Sequence, residues 1–272
     1  MVDCHGRFVW YELMTSDTKA AKDFYSAVVG WGTKNASVPG FAYTQFTSGN
    51  ATIGGLVGLP EEASKMGVRP TWIGYVGVAD VDATANRIKQ RGGAIYVPPN
   101  DIPNKCRFAI VADPQRAMLA LRSGETQAAE QGAPGHIGWN ELLAGDWEKV
   151  WDYYSDLFGW QKARAETSAM GTYQSFSVGG RTIGGMFNKP PTVPVPYWLY
   201  YFNTSDIDAA MKQVRVGGGQ ILNGPMQVPG GSWVTQCTDP QGCIFALIGK
   251  RSVNPRAKRE YNTITVLKAV SK

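Results

Sequence analysis

An internal repeat limits the folds open to this chain more than any other feature of its sequence. The segment from Phe8 to Trp31 returns 129 positions later as Ile137 to Trp160, and nine of the 24 aligned positions are identical. The identical pairs are Trp10/Trp139, Glu12/Glu141, Leu13/Leu142, Asp17/Asp146, Asp23/Asp152, Tyr25/Tyr154, Ser26/Ser155, Gly30/Gly159 and Trp31/Trp160. A repeat of this length predicts two copies of one structural unit, so we expect two similar domains in the 272 residues.

Each copy of the repeat has the pattern of a strand followed by a helix. Alternating residues from Val9 to Met14 predict a strand with two different faces, and Asp17 is a favourable helix N-cap. Gly30 stands where a helix ends in the left-handed conformation. More short strands and a second helix, capped by Asp80 or Asp206, follow in each half. The pattern therefore predicts an α+β fold with curved, mostly antiparallel sheets, because a doubly wound parallel sheet needs strict alternation of strands and helices.

Paired glycines interrupt one strand in each half, in the segments TIGGLV and TIGGMF. Glycine inside a strand predicts a bulge or a close approach of another group to the backbone. A phosphate-binding loop is excluded because no helix and no Lys-Ser/Thr follow.

The predicted domain boundaries follow the repeat and the distribution of charge. We expect domain 1 over 7–123, a polar linker over 124–135, domain 2 over 136–250 and a basic tail over 251–272. Seven of the 27 Lys and Arg residues but only one of the 22 Asp and Glu residues lie within 250–272. Because nucleic-acid binding needs a basic face on the folded body, this distribution argues against a nucleic-acid partner.

The composition is that of a globular protein, with 43% hydrophobic and 18% charged residues. No apolar run approaches the ~18 residues of a membrane span, and the first residues lack an apolar signal region. We therefore expect a cytoplasmic protein without a membrane partner. The four cysteines show no CxxC spacing and predict reduced thiols.

Three motifs recur in order in both halves: a strand followed by (T/A)(S/G)D, FY or YY, and GW; a DVDA- or DIDA-type helix start; and a DPQ turn before the final strand. In these motifs the chain resembles the vicinal oxygen chelate superfamily, which includes glyoxalase I, bleomycin-resistance and fosfomycin-resistance proteins and extradiol dioxygenases. The resemblance covers nearly all of residues 7–249. It implies four βαβββ modules in two cup-shaped sheets of about eight strands, duplicated in tandem.

The resemblance also implies where metal-binding members place their ligands. Those positions, on the first, fourth, fifth and eighth strands of each cup, fall on side chains without metal donors: Trp10 and Trp139, Gly54 and Gly184, Ile73 and Leu199, and Ala120 and Ala246. The only histidines, His5 and His136, precede the first strands. We therefore expect no metal and no cofactor in either cup.

The same correspondence predicts which side chains face into the cups. The predicted ligand-binding residues are Trp10, Tyr75, Arg107, Trp139, Tyr201 and Trp233, and the candidate catalytic residues are Glu12 and Glu141. A carboxylate beside Trp in mid-strand is costly unless paired, and burial raises its pKa, which suits a general base or a ligand acceptor. The alternatives are aromatic side chains that only build the sheet core and a structural carboxylate held by Arg, Tyr or backbone amides.

These observations favour a metal-free protein that binds a small aromatic or amphipathic molecule, as the bleomycin-resistance branch does. The alternative is a metal-independent enzyme, such as an isomerase, cyclase or hydroxylase-type protein, with Glu12 or Glu141 as general base. A metal-dependent glyoxalase or dioxygenase and a structural or signalling role are less favoured. The expected partner is a small apolar or aromatic ligand. We expect the two halves to pack as a pseudo-dimer within one chain. The sequence leaves open whether two chains form a homodimer.

Overall fold

The first half of the chain forms two consecutive βαβββ modules. This computed structural model describes residues 4–38, 41–65, 67–103, 105–124, 132–168 and 171–252. The first module comprises β1 (Phe8–Thr15), α1 (Thr18–Val29), β2 (Gly32–Val38), β3 (Phe41–Ser48) and β4 (Ala51–Gly58). After the short helix α2 (Glu61–Lys65), the second comprises β5 (Thr71–Gly77), α3 (Val81–Gln90), β6 (Ala94–Ile102), β7 (Cys106–Ala112) and β8 (Met118–Ser123).

The second half repeats this arrangement. Its first module comprises β9 (Ile137–Ala144), α4 (Trp147–Phe158), β10 (Gln161–Ser168), β11 (Gly171–Val178) and β12 (Arg181–Asn188). Its second comprises β13 (Tyr197–Thr204), α5 (Ile207–Val216), β14 (Gln220–Gln227), β15 (Trp233–Thr238) and β16 (Ile244–Gly249). Strand β2 and helix α2 have no separate signal in the residue pattern, because β2 is short and polar and α2 lies within a Pro-bounded segment.

Each half closes its own eight-stranded sheet. The strand orders are β2-β3-β4-β1-β5-β8-β7-β6 and β10-β11-β12-β9-β13-β16-β15-β14. The pairs β1/β4, β5/β8, β9/β12 and β13/β16 are parallel, and the others are antiparallel. The predicted α+β fold of four βαβββ modules in two mostly antiparallel sheets is confirmed, and each cup is built within one half.

Local sequence signals set the helix ends. The side chain of Asp17 accepts a hydrogen bond from Ala20 N at 2.9 Å, and Gly30 ends α1 with a φ of 81°. Asp80, Asp146 and Asp206 cap the other long helices in the same way. A free amide in the first turn needs such an acceptor, so these caps fix where each helix begins.

Aromatic side chains fill the interior between the two halves. One large buried cluster contains residues of both halves, among them Tyr25, Trp72, Tyr154 and Trp198. Tyr25 of the first half donates to Asp239 of the second at 3.2 Å and accepts from Trp72 at 2.9 Å.

The reciprocal contact joins Tyr154 of the second half to Asp113 of the first. The Tyr154 hydroxyl donates to Asp113 at 2.9 Å and accepts from Trp198 Nε1 at 3.2 Å. The other oxygen of Asp113 accepts from Gln115 N and Ala117 N, which shapes the turn between β7 and β8. The repeated DPQ turn and the repeated helix tyrosine therefore connect the two halves.

Two predicted segments extend beyond the described residues. Most of the linker predicted over 124–135 and most of the basic tail predicted over 251–272 lie outside them. Within the described part of the chain, no helix is long and apolar enough to cross a membrane.

Candidate functional site

The inner face of the first cup is set by strand alternation, because successive side chains of a strand point to opposite faces. Trp10 and Met14 of β1 cluster with Ile73 and Tyr75 of β5, and Tyr11 and Leu13 belong to the core between the halves. The structure thus brings Trp10, Glu12 and Tyr75 together on the wall of one cavity.

Glu12 is the polar centre of this wall. Its Oε2 accepts a hydrogen bond from the Tyr43 hydroxyl at 2.8 Å, and its Oε1 accepts one from the Tyr75 hydroxyl at 3.0 Å. Burial is the larger effect and raises the pKa of the Glu12 carboxyl. Hydrogen bonds from the tyrosines and from the Trp10 indole, together with the charge of Arg122, oppose that rise.

The close contact between Tyr43 and Glu12 requires a glycine on β4. A Cβ at Gly55 would overlap the Tyr43 hydroxyl and lie 2.9 Å from Glu12 Oε2. The paired glycines therefore allow the close approach that the sequence pattern predicts, with Gly55 on the inner side.

The cavity in the first cup has a volume of about 370 Å³. Its wall includes Trp10, Glu12, Tyr43, Tyr75, Phe108 and Arg122. Aromatic surfaces with a few placed polar groups are typical of small-molecule sites of about 300–1,000 Å³. This wall can accept a flat ring and can exchange hydrogen bonds with one end of it.

The second cup repeats the carboxylate network around Glu141. Its oxygens accept hydrogen bonds from Tyr173 at 3.0 Å and from Tyr201 at 2.7 Å, and the indole of Trp139 donates to Tyr173 at 2.7 Å. Burial raises the pKa of Glu141 to about 7, although both tyrosines favour the charged form. Glu141 is only 6% exposed, so this carboxyl is buried among its tyrosine partners.

Larger side chains occupy the second cup than the first. Phe187 and Tyr197 occupy the positions that Val57 and Thr71 occupy in the first half. The first two pair with Leu143 of β9, and the other two pair with its equivalent in β1, Met14. A buried cluster and the side chains packed on it comprise Leu143, Leu199, Tyr201, Val234, Ala246, Trp139, Phe187, Tyr197, Val228 and Ile248. The two cups therefore share a carboxylate network but differ in how their interior is filled.

The donor set of neither cup suits a divalent ion. In the first cup the ligand positions of metal-binding relatives hold Trp10, Ile73 and Ala120, with Gly55 as the inward residue of β4. Such an ion needs His, carboxylate or thiolate donors, and none of these four residues supplies one. Among the residues that the structure describes, no group of three or more His, Cys, Asp or Glu side chains could hold a metal.

Arg107 and Trp233 do not join these networks. Alternation along β7 puts Phe108 on the cavity wall and Ala109 in the core, so Arg107 lies on the helix side, paired with Asp82 of α3. Trp233 similarly packs against the main core and lies under the Arg251 guanidinium at 4.9 Å. The prediction that Arg107 and Trp233 point into the cups is wrong. Each directly precedes an inward-facing residue, Phe108 or its counterpart Val234, and therefore points to the other face of the sheet.

The histidines and thiols lie mostly away from the networks. His136 is buried beside the Pro134 carbonyl, with 3.4 Å between Nδ1 and that oxygen. All four cysteines are free thiols, and only Cys106 among the described ones is part of the cavity wall.

The sequence argument missed three residues of the site. Tyr43 and Tyr173 occupy equivalent positions in β3 and β11, so their repetition in FAYTQF and GTYQSF could have identified them. Arg122 is not repeated in the second half, where Ile248 occupies its position, and no sequence signal distinguishes it from a surface arginine.

The fold and the duplicated networks agree with the sequence comparison. The Glyoxalase family, described as the Glyoxalase/Bleomycin resistance protein/Dioxygenase superfamily, matches residues 7–121 and 134–247. This chain therefore belongs to that superfamily, as a tandem two-domain member.

Two groups of curated relatives match almost the whole chain. "Putative glyoxylase CFP32" of Mycobacterium tuberculosis is 31% identical over 247 residues, covering 88% of this chain and 93% of that protein. "Anthracycline biosynthesis protein DnrV" of Streptomyces peucetius is 29% identical over 267 residues, covering 93% and 96%.

Solved structures with low sequence identity share the fold. The Mn(II)-bound glyoxalase from Novosphingobium aromaticivorans aligns with a TM-score of 0.60 at 16% identity, covering 91% of this chain and 83% of that chain. The 2,2',3-trihydroxybiphenyl 1,2-dioxygenase from Sphingomonas wittichii aligns with a TM-score of 0.64 at 12% identity, covering 89% of both chains.

Proposed function

We propose that the first cup binds a small planar aromatic molecule and holds it without a metal ion. The observation that carries this proposal is the cavity of about 370 Å³, with the rings of Trp10, Tyr75 and Phe108 in its wall. Flat aromatic ligands gain contact area and favourable stacking from such rings.

The chemistry of the wall supports binding without a metal. The positions that hold metal ligands in related proteins carry indole, aliphatic and methyl groups here, and none of these donates an electron pair to a divalent ion. Glu12 remains as a hydrogen-bonding group beside the rings, held in place by Tyr43 and Tyr75.

The names of two relatives agree with an aromatic ligand. DauV and DnrV, each 29% identical to this chain, are named anthracycline biosynthesis proteins, and anthracyclines contain a planar fused-ring system. We propose the same class of ligand, a fused aromatic ring system, for the first cup.

Titration of the protein with a panel of planar aromatic compounds, followed by intrinsic tryptophan fluorescence, tests the proposal. Trp10 is part of the cavity wall, so a bound ring should quench its emission. Val57→Phe introduces into the first cup the ring that Phe187 supplies in the second, and it should weaken binding at least about tenfold by steric exclusion.

The matched control is Phe187→Val, which enlarges the second cup instead. Binding should stay within about twofold of the original protein if the first cup is the site, since this change lies outside it. Absence of quenching across the panel, or equal binding by Val57→Phe, would show that the first cup is not a binding site.

A second function is supported by the position of Glu12. This carboxyl is on the cavity wall, and burial raises its pKa, as suits a general base in a metal-independent isomerisation or cyclisation. Glu141 is enclosed by its own tyrosines, so Glu12 is the better candidate.

Deuterium exchange at the acidic C–H of 2-tetralone, a ketone whose ring is fused to a benzene ring, tests this second function by NMR. The protein should accelerate exchange, and Glu12→Gln should lower the acceleration by about 100-fold or more, the usual scale for loss of a general base. Glu141→Gln is the matched control and should retain the acceleration. Exchange at the original rate in Glu12→Gln would rule out a catalytic role for this residue.

A further inference from the structure

Arg122 places a positive charge on the wall of the first cup. It lies on β8 two residues after Ala120, on the same face of the strand and therefore towards the cavity. Its guanidinium carbon lies 5.4 Å from the centre of the Trp10 ring. A guanidinium stacked on an indole is held in a defined orientation, so its N–H groups have a fixed direction.

This guanidinium forms no salt bridge among the described residues, although its charge acts on the Glu12 carboxyl across the cavity wall. Its Nε is buried and has no hydrogen-bond partner there, and no carboxylate of those residues lies within 4.0 Å of Arg122. A buried donor without a partner is costly, and native structures rarely leave one unsatisfied.

The acidic groups nearest to the cavity are already engaged. Both oxygens of Glu12 accept from tyrosine hydroxyls, and Asp101 on the rim pairs with Arg107 at 2.9 Å. Neither carboxylate accepts a hydrogen bond from the Arg122 Nε in this arrangement.

The duplication shows that the scaffold does not need this charge. Tyr75 pairs with Ala120 in the first half and Tyr201 pairs with Ala246 in the second, so Ile248 is the counterpart of Arg122. The second cup keeps the carboxylate and both tyrosines but packs an aliphatic side chain at this position. If Arg122 helped to build the sheet, we would expect an arginine in both halves. Its presence in the first half alone fits a role in binding within the first cup.

We infer that the molecule bound in the first cup is an aromatic acid whose carboxylate pairs with the Arg122 guanidinium. This inference rests on the proposed binding function and specifies its ligand. The planar guanidinium carries paired N–H groups that match the two oxygens of a carboxylate, and the ring of the ligand then lies along the aromatic wall. The fixed cation also repels a divalent metal from the same cup.

Isothermal titration at neutral pH with 2-naphthoate and 2-naphthamide, which differ in charge but hardly in shape, tests the inference. The original protein should bind the acid at least about tenfold more tightly than the amide, the scale of one charge-assisted hydrogen bond. Arg122→Gln should abolish this preference, because the acid then loses more affinity than the amide. Arg181→Gln removes the same charge from an exposed position of the second half and should keep the preference.

Each outcome decides between the inference and the function on which it rests. Equal binding of both compounds, binding of the amide alone, or an unchanged preference in Arg122→Gln would overturn the inference and leave an aromatic-binding cup. If neither compound binds while other neutral aromatic compounds do, the inference is likewise overturned and the aromatic-binding cup remains. If no aromatic compound binds, the proposed function fails as well. Arg122→Lys keeps the charge but loses the planar guanidinium, so its preference for the acid over the amide should be intermediate. The comparison of acid and amide in the original protein tests the inference even if a variant fails to fold.

Discussion

The buried carboxyl of Glu141 should make the stability of this protein depend on pH in a specific direction. Burial raises its pKa from the usual 4.5 to about 7 in the folded protein. The folded state therefore binds a proton more tightly than the unfolded state. The contribution of the Glu141 carboxyl to the stability of the folded state is complete below about pH 4.5 and is lost as the pH rises through about 7.

The size of this effect follows from the two pKa values. One pKa unit corresponds to about 1.4 kcal/mol, so the free energy of unfolding should fall by about 3 kcal/mol between about pH 4.5 and pH 8 from this group alone. Glu141→Gln cannot ionise and should lack this part of the pH dependence. The free energy of unfolding of the variant minus that of the original protein should therefore be about 3 kcal/mol larger at pH 8 than at pH 4.5.

Urea unfolding followed by circular dichroism, with both proteins measured at each pH, gives this difference directly. Other titrating groups contribute equally to both proteins and cancel, provided that they do not contact Glu141. Glu148→Gln removes a charge from the exposed side of α4 and reports the effect of charge removal alone. A difference between Glu141→Gln and the original protein that stays constant within about 1 kcal/mol across this range would refute the reasoning.

Two further changes test the contacts that hold the halves and the first cup. Tyr154→Phe should lower the free energy of unfolding by about 2–4 kcal/mol in a denaturant titration, because it leaves buried groups of Asp113 and Trp198 without their partner; a loss below about 0.5 kcal/mol would show that this contact does not connect the halves. Gly55→Ala should cost about 1–3 kcal/mol and eliminate ligand binding, because its Cβ would displace the Tyr43 hydroxyl from Glu12. Gly58→Ala is the control for the second change, since it meets open space, and unchanged stability and binding in Gly55→Ala would contradict the assigned close approach.

The parts of the fold that depend on local sequence were predictable. Asp17 and Gly30 mark the ends of α1 because capping depends on residues within one turn. The resemblance to the superfamily, combined with the alternation along β1, placed Trp10 and Glu12 on the inward face, and both lie on the cavity wall. Their functional roles stay predictions, as do the absence of a metal and the cytoplasmic location.

The predicted direction of the side chains was wrong on β7 and β15. Both strands pair regularly with β8 and β16, and the bulges beside them lie in β6 and β14. Arg107 and Trp233 lie on the opposite face to the predicted one, because Phe108 and Val234 are the neighbouring residues that point inward. Tyr43 was missed for a different reason, since its hydrogen bond joins two strands 31 residues apart in sequence.

The sequence by itself determined the duplicated βαβββ architecture, the helix limits and the lack of metal donors at the equivalent strand positions, because these depend on repetition, capping and residue chemistry. The tertiary structure alone decided that each cup closes within one half, that Tyr25 and Tyr154 join the halves, and that Arg122 belongs to the cavity wall. These features depend on long-range pairing, in which a single bulge or a single larger ring changes which side chains meet.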